Sequence, residues 1–238
     1  PDAALSLSEL LARFDEGVST SGPPPGAFAA AIEGATDGAV IITVAANLSS
    51  SYKAAVAGAA ILPEVPVRVV DSGSAAGAQA LAARHAAEVA ARGGSLDEVE
   101  AAARRVLKSA RLYGALETFE YLVRGGRLNS VVGRVAQGLR VHPVFELRQG
   151  NISSLRPAFS REASMSRLLR LWRNSRVPGA RLHIIALHAL APEAAQHLLA
   201  EVRREVEPAT SLVTEFGAVM VVHTGPGLLG LSWWWEEG

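Results

Sequence analysis

Four short segments of this 238-residue chain place hydroxyls and glycine where a buried anion could be met. They are Thr20-Ser21, the loop Asn47-Leu48-Ser49-Ser50-Ser51-Tyr52, the pair Asp71-Ser72, and the turn His223-Thr224-Gly225-Pro226-Gly227. Several of them follow expected strands, and open α/β sheets bind ligands outside the carboxyl ends of their strands. The serine loop lies between an apolar strand and a helix start. Its hydroxyls and the unpaired amides of the first helical turn can jointly hold an anion, with the helix dipole adding favourable potential. The same residue types also serve as ordinary N-caps. His223 closes an apolar run expected as a strand, Ala218 to His223, and is the best placed of the six histidines, although a lone histidine there is more often structural.

Other chemistries find less support. With no cysteine in the chain, thiolate catalysis, disulfides and cysteine-ligated metals are excluded, as befits a reducing compartment. His142 precedes Pro143, His85 and His197 fall on expected helices, and His183 and His188 flank a strand at a spacing that matches no metal motif, so neither metal nor cofactor is expected. A serine hydrolase using Ser49 and His223 is the enzymatic alternative. It would need an orienting carboxylate and a Gly-x-Ser-x-Gly elbow, and the elbow is absent. Gly225-Pro226-Gly227 is weak as a nucleotide motif because Pro226 removes a donor and no helix follows. Arg124-Gly125-Gly126-Arg127 could hold phosphate, but a basic turn after a helix is usually a solvated C-terminus.

The elements that must position these residues follow from periodicity. Ser6 to Phe14 is expected as a short helix, with Leu7, Leu10, Leu11 and Phe14 on one side. The prolines Pro23 to Pro25 break the chain before a helix over Phe28 to Ile32. Val40 to Val44 and Val65 to Val70 are β-branched strands, expected to be buried on both faces, and the helix Tyr52 to Ile61 between them indicates a parallel βαβ unit. An alanine-rich helix over Ala75 to Ala91 follows. Ser95 and Glu98 then form a capping box ahead of the stripe Leu96, Val99, Ala103, Val106 and Leu107. Beyond residue 110 the pattern changes to hairpin-like strands at Leu112 to Leu116, Pro143 to Leu147 and Ile152 to Leu155, placing a domain boundary between 1–110 and 111–238. A helix ending at Leu168 to Trp172, strands at Leu182 to Leu187 and Ser211 to Glu215, a helix over Pro192 to Val206 and a final strand over Leu229 to Trp235 complete the chain. Trp233 to Trp235 are expected as packing residues, with at least one indole partly exposed as a contact surface.

Charge is balanced at 23 basic and 23 acidic residues, so no global field draws the protein to nucleic acid. The longest apolar runs fall short of the roughly 20 residues that span a bilayer, and no secretion signal is evident, which makes the cytoplasm the default expectation.

Taken in order, the motifs resemble the DegV family of fatty-acid-binding proteins. The matching stations are Thr20-Ser21-x-Pro23 with Gly26 and Phe28, Leu48-Ser49-x-Ser51-Tyr52, and Val69-Val70-Asp71-Ser72. They continue with Tyr121-Leu122-Val123-Arg124-Gly125-Gly126-Arg127-Leu128 and His142-Pro143-Val144-Phe145 before Gly150. Glu215-Phe216-Gly217 then leads to His223-Thr224-Gly225-Pro226-Gly227-Leu228-Leu229-Gly230. The resemblance implies a two-domain α/β protein, with a parallel-sheet α/β/α first domain and a mixed-sheet α+β second domain. It also implies a long-chain fatty acid lying in a tunnel between them, its carboxylate held by Thr20, Ser49 and His223, with Ser21, Ser51, Thr224 and Gly225 alongside.

Such carriers present the bound acid to a separate fatty acid kinase and supply no nucleophile themselves. Arg124, Arg127 and Arg161 would face that partner or the acyl phosphate. About 15 methylenes at roughly 0.8 kcal/mol each give about 12 kcal/mol before ordering costs, so the tail supplies affinity. Two hydroxyl donors and an imidazolium would compensate the buried carboxylate. In two places the sequence departs from the family. Its usual opening strands, before the first helix, are not matched, so the chain is expected to be truncated or its first sheet to have fewer strands. Gly22 also replaces a polar Gln, and Ala45-Ala46-Asn47 replaces Ser-Ser-Gly, leaving the anion end with fewer hydrogen-bonding groups.

Overall fold

The computed structural model describes residues 9, 13, 14, 18–127 and 141–237. The expected helix over Ser6 to Phe14, apart from Glu9, Arg13 and Phe14, and Leu128 of the arginine motif lie outside the described residues. The chain forms two compact units, one of Ser21–Arg111 with Leu147–Asn151, the other of Pro1–Thr20, Leu112–Glu146 and Ile152–Gly238.

The first of these units contains helix α1 (Pro25–Ile32), strand β1 (Ala39–Thr43), helix α2 (Ser51–Ala59), strand β2 (Val67–Asp71) and helices α3 (Ala76–Ala91) and α4 (Leu96–Ser109). β1 and β2 pair in parallel, Ala39 opposite Val67 through Thr43 opposite Asp71. This is the βαβ unit that the β-branched runs predict. Val40 and Ile42 pack against Ala86, Val89, Val99 and Ala103 of α3 and α4. α1 and α2 approach so closely that a Cβ on Gly58 would lie 2.5 Å from the Pro25 carbonyl oxygen. The capping box forms as expected, Ser95 Oγ accepting from Glu98 N–H while Glu98 Oε2 accepts from Ser95 N–H at 2.8 Å. One expectation is corrected. Apart from Thr43 and Val70, the strand residues are only partly buried or exposed, because among the described residues this sheet has two strands and each is also an edge.

The second unit is built on a mixed sheet of order β5-β4-β3-β8-β6-β7. Its strands are β3 (Arg111–Ala115), β4 (Val144–Arg148), β5 (Asn151–Ser154), β6 (Arg181–His188), β7 (Thr210–Glu215) and β8 (Leu229–Glu236). Helices α5 (Glu120–Arg124), α6 (Arg161–Arg173), α7 (Pro192–Arg203) and α8 (Ala218–Thr224) connect them. Leu231, Trp233 and Trp235 of β8 join Leu168 and Trp172 of α6 and Leu198 and Val202 of α7 in one apolar cluster. Trp234, on the opposite face, stacks on His183 with ring centroids 5.0 Å apart.

All three indoles are therefore buried, at 1, 3 and 9 % exposure for Trp233, Trp234 and Trp235. This overturns the expected exposed contact surface. β8 is a central strand, and a central strand covered on both faces has no outward side to give an indole. The second correction is α8, expected as a strand. Val219, Val221 and Val222 favour strands as isolated residues, but Val221 and Val222 are buried together while Val219 is exposed, a helical disposition that tertiary packing imposes.

Candidate functional site

α8 delivers His223 to its site. The helix is flanked by Gly217 and by Gly225, whose φ of +74° is a left-handed conformation that side-chain-bearing residues adopt only under strain. His223 thus sits in a last helical turn and not at a strand end. Its Nε2 lies 2.8 Å from Thr20 Oγ1 across 203 residues of sequence, bringing two of the expected ligand residues together. Phe14, six residues before Thr20, packs on Tyr121 of α5 with ring centroids 5.2 Å apart, which anchors this part of the chain against the same helix.

The Arg-Gly-Gly-Arg turn after α5 has a role that its composition did not disclose. A Cβ on Gly125 would lie 2.6 Å from His223 Nδ1, and one on Gly225 would lie 2.3 Å from the Tyr121 ring. The two glycine motifs are far apart in sequence, yet each is small because the other element's ring occupies the space. The distant pairing of Tyr121 with Gly225 and of Gly125 with His223 leaves no signal in either motif alone.

His223 is about half buried, and this burial, reinforced by the Arg127 guanidinium, holds its imidazole below the ordinary histidine range. The unliganded site thus disfavours the imidazolium, the form that a bound carboxylate would favour. Nδ1 is buried and has no hydrogen-bond partner among the described residues. A catalytic histidine in a serine triad needs a carboxylate at that nitrogen, so the hydrolase alternative lacks its orienting group.

The serine loop belongs to the other unit. There Ser49 Oγ lies 2.9 Å from Ser51 Oγ and accepts from Ser51 N–H at 3.2 Å, so it caps the start of α2. Gly22 fits against this loop, where a Cβ would lie 3.0 Å from Ser50 Oγ, and Ser21 beside it is exposed. Asn47 donates its amide to the Gly150 carbonyl at 2.6 Å, and Gly150 N–H donates to the Gly73 carbonyl. Residues Leu147–Asn151, which belong to this same unit, are thereby joined to the loops that follow both parallel strands. Thr224 Oγ1 donates to the Met220 carbonyl at 2.9 Å, back along its own helix.

The three arginines expected to face a partner all have partners within the chain. Arg124 pairs with Glu120 at 2.9 Å and donates to the Phe14 carbonyl, Arg127 donates to the Gly125 carbonyl, and Arg161 pairs with Glu117 at 3.0 Å. Glu117 also meets His142 Nδ1 at 3.3 Å and packs where a Gly227 Cβ would sit, an anchor for the glycine turn that no local motif signals.

Gly225→Ala is expected to cost about 2–4 kcal/mol, from the left-handed backbone and the overlap with Tyr121 together. Thermal unfolding measures it, and adding Tyr121→Ala should recover only the overlap part.

A family model described as "uncharacterised protein, DegV family" matches residues 2–236. A DegV domain-containing protein of Streptomyces coelicolor is 37 % identical over 219 residues, covering 90 % of this chain and 77 % of that one. The fatty acid-binding protein of Thermotoga maritima is 28 % identical over 198 residues, covering 82 % of this chain and 68 % of the relative. The solved structure of a fatty-acid-binding DegV family protein from Thermus thermophilus superposes with a TM-score of 0.88 at 26 % identity, over 97 % of this chain and 85 % of that one.

Proposed function

Because the chain belongs to the DegV family, we propose that it binds a long-chain fatty acid and carries it without turnover, its carboxylate meeting Thr20 and His223. The observation that carries this is the Thr20–His223 pair, a hydroxyl and a partly buried imidazole 2.8 Å apart. Two such groups can hydrogen-bond a carboxylate, and a buried carboxylate demands that kind of compensation. The fatty-acid-binding relatives from Thermotoga maritima and Thermus thermophilus support the ligand class. Ser49 is proposed as a further hydroxyl donor on the family resemblance alone.

No helix among the described residues is long and apolar enough to cross a membrane. The finer proposal is a cytoplasmic carrier that presents the acid's carboxylate to a separate kinase, which phosphorylates it. Native mass spectrometry of protein purified from cells tests the carrier reading. A co-purifying long-chain fatty acid released on denaturation is expected, and persistent ligand-free protein after incubation with long-chain fatty acids would refute it.

A further inference from the structure

A cavity of about 360 Å³, lined by both polar and apolar residues, lies wholly within the unit of Ser21–Arg111 and Leu147–Asn151. Its walls come from the loop after β2 (Asp71 to Ser74), from Ala78 in the first turn of α3, from Arg104 and Lys108 near the end of α4, and from the hairpin residues Arg148 and Gln149. Three cations thus line it against one carboxylate. That carboxylate is already engaged, since Asp71 Oδ1 accepts from Ala46 N–H at 3.1 Å and Gly73 N–H at 2.9 Å. Arg104 pairs with Glu100 at 2.7 Å, whereas Lys108 and Arg148 meet no carboxylate among the described residues.

Ser74 lines the same cavity and is 7 % exposed, yet its Oγ has no hydrogen-bond partner among the described residues. A buried hydroxyl left in that state costs free energy that a bound ligand would recover. Ala75, the N-cap of α3, offers no side-chain acceptor, so the first-turn amides of this 16-residue helix have no capping group. An uncapped helix start, an unpartnered hydroxyl and two cations without carboxylates are together suited to a tetrahedral dianion.

We propose that this cavity binds a phosphate monoester group, either on a soluble molecule or as a lipid headgroup. It is a site independent of the fatty-acid reading. The test uses the full chain in phosphate-free buffer, titrated with inorganic phosphate by calorimetry. Saturable binding is expected, weakened about tenfold or more in the Lys108→Glu/Arg148→Glu variant, whose substitutions are on exposed side chains. Ser74→Ala should also weaken phosphate binding while leaving the melting temperature unchanged or raised, because it deletes a hydroxyl that bonds nothing.

Phosphatidylcholine vesicles with and without phosphatidic acid separate the two sources. Co-sedimentation only with phosphatidic acid, lost in the double variant, identifies a lipid headgroup, and phosphate binding without co-sedimentation identifies a soluble ligand. The proposal is overturned if inorganic phosphate does not bind saturably, if the double variant binds it equally well, or if Ser74→Ala destabilises the fold without altering phosphate affinity. Retention of phosphate binding in His223→Ala would show that the two sites stand or fall separately.

Discussion

His223→Ala is expected to reduce fatty-acid affinity on the order of a hundredfold, equivalent to about 2.7 kcal/mol. The acyl chain keeps its apolar burial, so binding weakens without disappearing, but the carboxylate loses a partner where water replaces it poorly. Thr20→Val removes only the hydroxyl beside the ring, and a loss nearer tenfold is expected, the lower end of the about 1.5–3 kcal/mol that a hydrogen bond to a charged group contributes. Calorimetric titration of delipidated protein with a long-chain fatty acid measures both. Unchanged affinity in both variants would remove these residues from the site.

The protonation of His223 sets the pH dependence of the same experiment. Burial first, and Arg127 second, hold its folded-state pKa below the unfolded value of 6.5. Above that value both states are neutral and the group contributes nothing to stability. As pH falls through 6.5 toward the folded value, the unfolded chain takes a proton that the folded chain resists, so stability declines over that window. A carboxylate bound at Nε2 favours the imidazolium and opposes the shift. Ligand binding at pH values above the unliganded folded value should therefore take up a proton at His223 that the His223→Ala variant does not.

Trp233→Ala should be among the most damaging single changes in the core. The indole is 1 % exposed, stacks on Tyr113 with ring centroids 5.3 Å apart, and donates from Nε1 to Ser175 Oγ at 2.7 Å. Removing it empties the centre of the cluster beneath α6 and α7, at a cost of about 3–5 kcal/mol. For a chain of this size that lowers the melting temperature by about 10 °C. Trp233→Phe keeps much of the apolar area but not the donor, and an intermediate loss is expected. The hydroxyl it leaves behind is not orphaned, because Trp235 Nε1 also reaches Ser175 Oγ at 3.3 Å.

Local chemistry was legible wherever one short segment carried the whole cause. The capping box at Ser95 and Glu98 needs only residues three apart, and the βαβ unit announces itself through β-branched runs on either side of a small-residue helix. The ordered motifs likewise pointed to the family. What the sequence left undetermined depends on neighbours far away in the chain. The Val219 to Val222 run has strand propensity, and only packing made it the helix that carries His223. The three indoles alternate as a strand should, but their common burial follows from β8 lying between β3 and β6.

The hydroxyls and the histidine were visible as residues with suitable chemistry. That Thr20 and His223 meet, that burial disfavours the ring's charged form, and that Gly125 and Gly225 are small to admit a distant histidine and tyrosine were decided by the tertiary structure. A donor's partner and the burial that moves its pKa are properties of the space around it, and 203 residues of chain separate the two groups that create that space.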